Sequence, residues 1–204
     1  MENRQGGQPR EARFARYIEA RRFEPPRPLL AKAAALAGCK EHALDAGAGA
    51  LNATKYLLSD GFAHVTALDA APRAQDVAAE LADQRVTFVL ARFEDFEFPA
   101  DCYDLINAEF SLPFIAPSDF APTFNRLLRS VRPGGIFTGQ LFGPNDSWNV
   151  ENSGLSFHTR GEAEAFFRKF DLRHLEEEDH PGTTKLGEPK HWHIFHIIAQ
   201  RAAS

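Results

Sequence analysis

The stretch Ala43-Leu44-Asp45-Ala46-Gly47-Ala48-Gly49 decides how this chain is read. Apolar residues lead to an acid, and two glycines then open toward a helical pattern that starts near Asn52. This is the end of a buried strand and a tight turn into a helix, where glycine lets the backbone turn sharply and lets a ligand touch the main chain. A second apolar run, Val65-Thr66-Ala67-Leu68, ends in a second acid, Asp69. A carboxylate at that strand end can accept hydrogen bonds from both hydroxyls of a ribose. Two acids beside one glycine loop predict a site for a ribose-bearing cofactor. The third glycine of a Gly-x-Gly-x-x-Gly dinucleotide fingerprint would fall at position 52, which is Asn52, and a lone Gly-x-Gly is also the signature of a plain tight turn.

Outward from this stretch the chain alternates between strand and helix patterns. Upstream, residues 11–23 carry Phe14, Tyr17 and Ile18 at helical spacing, and Pro25-Pro26-Arg27-Pro28 breaks that helix. A second helix over 29–37 is expected to end at Gly38 as its left-handed closing residue. Downstream, strands are predicted at 42–45, 65–69, 85–90, 104–108 and 136–142. Helices between them run over 52–59, closed by Gly61, and from Pro72 to 82. A further helix is expected from Ser118 as N-cap, with Phe120, Phe124, Leu127, Leu128 and Val131 on one face. Pro133-Gly134-Gly135 is read as the turn into the fifth strand. The pair Thr159 and Glu162 forms a capping box opening a helix through Ala165, Phe166 and Phe170, and two strands at 172–178 and 193–200 follow.

Such alternation with near-continuous apolar strands predicts an α/β fold, a doubly wound, mostly parallel seven-stranded sheet covered on both faces. The segment 181–192 is too short for a helical crossover, which takes ~10–12 residues or more. The last two strands should therefore form an antiparallel hairpin. Residues 1–10 are read as a flexible leader and 11–204 as one domain, with 11–28 available as an N-terminal lid.

Composition narrows the function. The chain has 204 residues and a net charge of −5, with no basic stripe interleaved with aromatics, so nucleic acid is not the expected partner. No apolar run reaches the ~20 residues of a membrane span, and the polar start of the chain carries no secretory pattern. The two cysteines, Cys39 and Cys102, lack metal-ligand spacing and read as buried thiols in a reducing cytoplasm. His191-x-His193 would share one strand face, but no Cys or acid is spaced to complete a metal site. The run Glu176-Glu177-Glu178-Asp179 reads as a solvated strand end. No metal is expected.

At this point the chain resembles the class I S-adenosylmethionine-dependent methyltransferases, over about residues 28–200. The resemblance rests on Leu44-Asp45-Ala46-Gly47-Ala48-Gly49, on Asp69, on Arg92-Phe93-Glu94-Asp95-Phe96-Glu97-Phe98-Pro99 ahead of Tyr103-Asp104-Leu105-Ile106, and on Arg132-Pro133-Gly134-Gly135. Its Rossmann-like fold ends in a reversed strand, as expected above. It implies S-adenosyl-L-methionine as cofactor and S-adenosyl-L-homocysteine as product. It implies that Asp45, Ala46, Gly47, Ala48 and Gly49 line the methionine and ribose portion, and that Asp69 and Ala70 hold the ribose. It implies that Arg92, Phe93 and Glu94 approach the adenine, and that Asn107 and Ala108 lie under the sulfonium. Leu51 stands where many members have a third glycine, which narrows the loop. Arg92 stands where an Asp often reads the adenine amine, and an Arg cannot accept from that amine. Four further segments, around 107–114, 139–143, 157–160 and 187–193, are similar to a bacterial small-molecule subgroup of the tellurite-resistance type.

The acceptor side follows from topology. Ligands of an open α/β sheet bind beyond the carboxyl ends of the parallel strands. The long unstructured segment 143–158 and the segment before the reversed last strand share that edge. Phe110, Phe114, Phe142, Asp146, Trp148, Lys190 and Trp192 are therefore candidate substrate contacts, joined by Tyr17 and Arg27 if the N-terminal helix is a lid. Methyl transfer is an in-line displacement in which the protein supplies proximity and alignment. Where the nucleophile must lose a proton, Glu109 and His191 are the candidate bases. The predicted partner is a small-molecule methyl acceptor, and the protein a monomer or homodimer. An NAD-dependent oxidoreductase and a non-catalytic S-adenosylmethionine-binding protein stand as alternatives. A nucleic-acid methyltransferase is disfavoured, because Asn107-Ala108-Glu109-Phe110 lacks the Asn/Asp-Pro-Pro-aromatic pattern.

Overall fold

A computed structural model describes residues 10–203. The expected leader, apart from Arg10, lies outside the described residues. The chain runs α1 (Arg10–Arg21), α2 (Pro28–Ala34), β1 (His42–Ala46), α3 (Asn52–Ser59), β2 (His64–Asp69), α4 (Pro72–Leu81), β3 (Val86–Leu90) and β4 (Tyr103–Ala108). It continues through a short 3-10 turn, Leu112–Phe114, into α5 (Pro117–Ser130), β5 (Val131–Phe142), α6 (Arg160–Phe166), β6 (Phe170–Thr183) and β7 (Pro189–Arg201).

The seven strands form one sheet in the order β3-β2-β1-β4-β5-β7-β6. The pairs from β3 to β5 are parallel, and β7 runs antiparallel to both β5 and β6. Connectivity reverses between β1 and β4, where Asp45 is in register with Asn107. This switch point is where an open α/β sheet leaves a crevice.

The helices form because their apolar residues recur with the helical period. Phe120, Phe124 and Leu127 of α5 pack with Phe137 and Phe167 in one core cluster. Leu30 and Ala33 of α2 and Leu57 of α3 pack with Leu105, Ile136 and Ile198 in another. Each fully buried Phe or Leu of this kind stabilises the fold by about 1.5–3 kcal/mol relative to exposure. Ile18 brings α1 into a third cluster with Leu51, Ala67 and Val77.

Several sequence expectations are corrected. Helix α2 stops at Ala34 with Ala35 as C-cap, so Gly38 does not close it. Helix α5 is entered through Pro117 with Ala116 as N-cap and no side-chain cap. Ser118 is already inside, since proline's fixed φ suits the first turn. Pro133-Gly134-Gly135 lies within β5, at a register shift against β4 between Tyr103 and Leu105. It is an irregularity in one long strand. The capping box is present, with the Thr159 side chain accepting from Glu162 N, but α6 ends at Phe166 and Phe170 opens β6. The closing hairpin is longer than expected: pairing extends to Thr183 and Pro189, so most of the segment read as a loop is strand. Cys39 is exposed and Cys102 half-buried, so neither is a buried thiol. Among the described residues, no helix is long and apolar enough to cross a membrane.

Candidate active site

The carboxyl ends of β1, β2 and β4 open into a cavity of about 690 Å³, roofed by α1 and flanked by the hairpin turn near Lys185. At its floor the glycine loop is pinned to β2, because Gly47 N and Ala48 N both donate to Leu68 O, at 2.8 and 3.0 Å. Gly47 has φ +85°, and a Cβ there would sit 2.3 Å from Ser111 Cβ, so the turn admits only glycine without movement of its neighbour. Leu51 adopts the left-handed conformation usual for glycine, with φ 58°. Its side chain is fully buried beside Ile18 and Val77. Leu51 therefore does not narrow the loop; the apolar side chain is spent on seating α1.

Asp45 is buried and accepts from Thr54 Oγ1 at 2.7 Å and from Asn107 Nδ2 at 2.9 Å. Burial pushes its carboxyl up from the ordinary range, the two hydrogen bonds oppose this, and the nearby Asp69 charge adds to the rise. Asp69 accepts from Gly49 N and Ala71 N, both at 2.8 Å. Burial raises it too, against the backbone N–H groups of Ala71, Gly49 and Ala70. Asn107 lines the cavity, and its Oδ1 is buried without a hydrogen-bond partner. A buried carbonyl oxygen left in this way lacks a donor.

The structure brings Asp45, Gly47, Ala48, Gly49, Asp69, Ala70, Arg92, Phe93, Glu94 and Asn107 to one cavity wall. Arg92 Nη2 lies 3.1 Å from Glu94 Oε1. Ala46 and Ala108 do not line the cavity: both are fully buried in the core behind it, and Ala46 O accepts from Ser111 Oγ at 2.7 Å.

The other end of the cavity is aromatic. Phe110, Phe114, Phe142, Trp148 and Trp192 line it, with Tyr17, Arg27 and Glu109. Phe110 holds φ 55° and its N–H donates to Gln140 Oε1 at 3.0 Å. The guanidinium of Arg27 lies over the Phe110 ring, 4.1 Å from its centroid. Glu109 Oε1 is buried without a partner. Burial drives the Glu109 carboxyl up to about 7, against the Arg27 charge and with the Asp45 charge adding to the rise. A carboxyl so placed can take or give a proton near neutrality.

Three expected site residues stand elsewhere. Lys190 and Asp146 form a fully buried ion pair behind the aromatic wall, where the ammonium lies 4.2 Å from the Trp148 centroid and 4.5 Å from that of Trp192. Asp146 also accepts from Trp148 N at 2.9 Å. The pair holds the two indoles and is not exposed to the cavity. His191 does not line the cavity either. Its Nε2 lies 2.6 Å from Asp179 Oδ1, and His193 shares that side, with Nδ1 at 3.9 Å from the same carboxylate. Neighbouring strand residues point to opposite faces, so Trp192 and His191 cannot both enter the cavity. Among the described residues, no group of three or more His, Cys, Asp or Glu could hold a metal ion.

Sequence reasoning missed Arg13, Phe14 and Asn52. Phe14 meets Phe114 edge-on at 5.2 Å, and Asn52 Nδ2 donates to Arg21 O at 2.7 Å, tying α3 to α1. The signal for Phe14 was its helical spacing with Tyr17, which reads the same for a core helix and a roof. Asn52 reads in the sequence as the absent third glycine and as the start of a helix, and neither signals its contact with α1.

Comparison with known proteins finds methyltransferases of the same fold. A family model described as a methyltransferase domain matches residues 43–135. An uncharacterized methyltransferase of Synechocystis sp. is 33% identical over 94 residues, which is 46% of this chain and 43% of the relative. The match thus spans less than half of that protein. Among solved structures, TehB of Haemophilus influenzae superposes with a TM-score of 0.74 at 14% identity, covering 95% of this chain and 67% of that one. The 1,6-didemethyltoxoflavin-N1-methyltransferase of Burkholderia thailandensis, solved with 1,6-didemethyltoxoflavin and S-adenosylhomocysteine, superposes at 0.68 with 22% identity, covering 94% and 87%. The architecture is that of the class I methyltransferases.

Proposed function

We propose that this chain, whose residues 43–135 match a methyltransferase-domain family model, transfers a methyl group from S-adenosylmethionine to a small-molecule acceptor. The observation that carries this reading is one wall combining the Gly47 turn, the Asp69 carboxylate and the orphaned Asn107 Oδ1. These fit the cofactor's chemistry: Asn107 Oδ1 would accept from its amino group, Asp69 would hold its ribose hydroxyls, and Phe93 with the Arg92–Glu94 pair would flank its base. When bound, S-adenosylmethionine supplies a methyl group on a sulfonium sulfur.

The chain's own residues do the rest. The aromatic end encloses an acceptor and excludes water, which serves alignment for an in-line displacement. Glu109 is placed to take the proton of a nucleophile that must lose one. The net charge of −5 and the enclosed aromatic end favour a small molecule over nucleic acid. Helix α1, with the segment that follows it, serves as a lid: Glu19 and Arg22 pair with Arg73 and Glu80 of α4, and Arg13 and Glu24 pair with Glu188 and Lys185 of the hairpin turn.

The test is calorimetric titration with S-adenosylhomocysteine. Saturable one-site binding, weakened at least tenfold by Asp69→Asn, is expected. Absence of binding by folded protein would sink the reading.

A further inference from the structure

Two opposed groups stand at the aromatic end of the cavity. Arg27, on the segment between α1 and α2, lays its guanidinium on Phe110 and donates from Nη2 to Tyr17 Oη at 3.4 Å. Among the described residues, no carboxylate lies within ion-pair distance of it, whereas the neighbouring cations Arg13, Arg21 and Lys185 are each paired with an acid. Glu109 faces the same space with a buried, unpartnered Oε1. A cation and a carboxyl that share a cavity without closing on each other leave room for a group that gives a proton to one and a negative charge to the other. The same end of the cavity is lined by rings, with Trp148 and Trp192 fixed by Lys190. Flat aromatic surfaces of this kind favour stacked or edge-on rings.

Resting on the methyltransferase reading, we infer that the acceptor is an aromatic hydroxyl compound of the phenol or ring-enol class, with its oxygen between Glu109 and Arg27. The oxygen–hydrogen bond breaks toward Glu109 Oε1, which takes the proton. Arg27 balances the charge left on the oxygen. The oxygen lone pair then forms the bond to the methyl carbon as the carbon–sulfur bond breaks, its electron pair staying on sulfur, and Glu109 returns the proton to solvent. An aromatic amine offers Arg27 no charge to hold, and an aliphatic alcohol offers neither ring nor accessible anion. The raised Glu109 pKa, about 7, suits a base that must be reset near neutrality.

The probe is 4-nitrophenol, whose ionised form is coloured, titrated into the full chain saturated with S-adenosylhomocysteine. The expected result is saturable binding with the coloured form stabilised, so that its apparent pKa falls by about one unit, a tenfold bias toward the anion. Arg27→Gln should abolish that shift, Arg27→Lys should keep most of it, and 4-nitroaniline should bind at least tenfold more weakly. Retained S-adenosylhomocysteine binding in each variant certifies the fold. No binding of 4-nitrophenol, an unshifted spectrum, or a shift equal in Arg27→Gln would overturn the inference and leave the methyltransferase reading standing. Failure of S-adenosylhomocysteine itself to bind would remove both.

Discussion

Glu109 shows how placement changes the chemistry of one side chain. A glutamate normally loses its proton near 4.5, and here the native carboxyl keeps it to about 7. With Glu109 as base, the rate should climb as pH rises through about 7, and Glu109→Gln should lower kcat by roughly 10²–10⁴-fold and flatten the profile. The same shift has a stability consequence with a definite sign. Between those two pKa values the folded state binds more protons than the unfolded one, so this contribution is full at low pH and declines as pH rises toward about 7. Urea midpoints of wild type and Glu109→Gln should therefore converge in acid, with the wild type losing ground as pH rises from 4.5 to about 7 and the gap staying constant above that. Lys190 is the second informative residue. Removing one member of a buried pair strands the other charge and costs about 3–5 kcal/mol. Lys190→Met is expected to destabilise by that order, and the double change Lys190→Met with Asp146→Leu by clearly less. A double-mutant cycle in urea reads the difference.

Among the elements, α1 joins the two banks of the cavity. It is held by one buried apolar anchor, Ile18, and by partly exposed ion pairs to α4 and to the hairpin turn. Such pairs are worth roughly 0.2–1 kcal/mol each and are screened by salt. That suits the lid proposed above, which would open without unfolding the sheet beneath it. Reversing the charges at the turn, with Glu188→Arg and Lys185→Glu, should speed amide exchange in α1. It should also weaken S-adenosylhomocysteine binding several-fold, more strongly at low salt than at high. Unchanged exchange in α1 would show that the turn does not hold the helix.

At the scale of the molecule, the reversed strand β7 completes both the core and the site. It lies between β5 and β6, burying Ile194, Phe195, Ile197 and Ala199, and the same strand brings Trp192 into the cavity. Phe195 is fully buried, so Phe195→Ala should cost about 3–5 kcal/mol. Loss should appear as a single lowered transition by tryptophan fluorescence and circular dichroism together, because the indole of Trp192 reports on the strand that Phe195 anchors. Two separated transitions would mean that the hairpin unfolds apart from the parallel part of the sheet.

The cavity wall proposed for the cofactor was legible in the sequence because it is built from local signals. A strand ending in Asp45, a glycine turn, and a second strand ending in Asp69 lie close in the chain, and parallel pairing places both acids at one sheet edge. The reversal of the last strand was legible too, since a short connection cannot cross over. Other features were set only by long-range pairing. Pro133-Gly134-Gly135 reads as a turn by composition, yet β4 pairs with Val131 before it and Ile136 after it, which keeps it within one strand. His191 and Lys190 were expected at the cavity mouth beside Trp192. Extension of the hairpin to Pro189 made their stretch a strand, in which successive residues leave by opposite faces. Register then put Trp192 in the cavity, His191 on Asp179, and Lys190 behind the rings on Asp146. Residue types and spacing thus determined the strand ends and the cavity wall proposed for the methyl donor, where a single turn's backbone fixes geometry. Tertiary structure alone decided which side chains line the aromatic end of the cavity, because register couples residues too far apart in sequence for any local pattern to report.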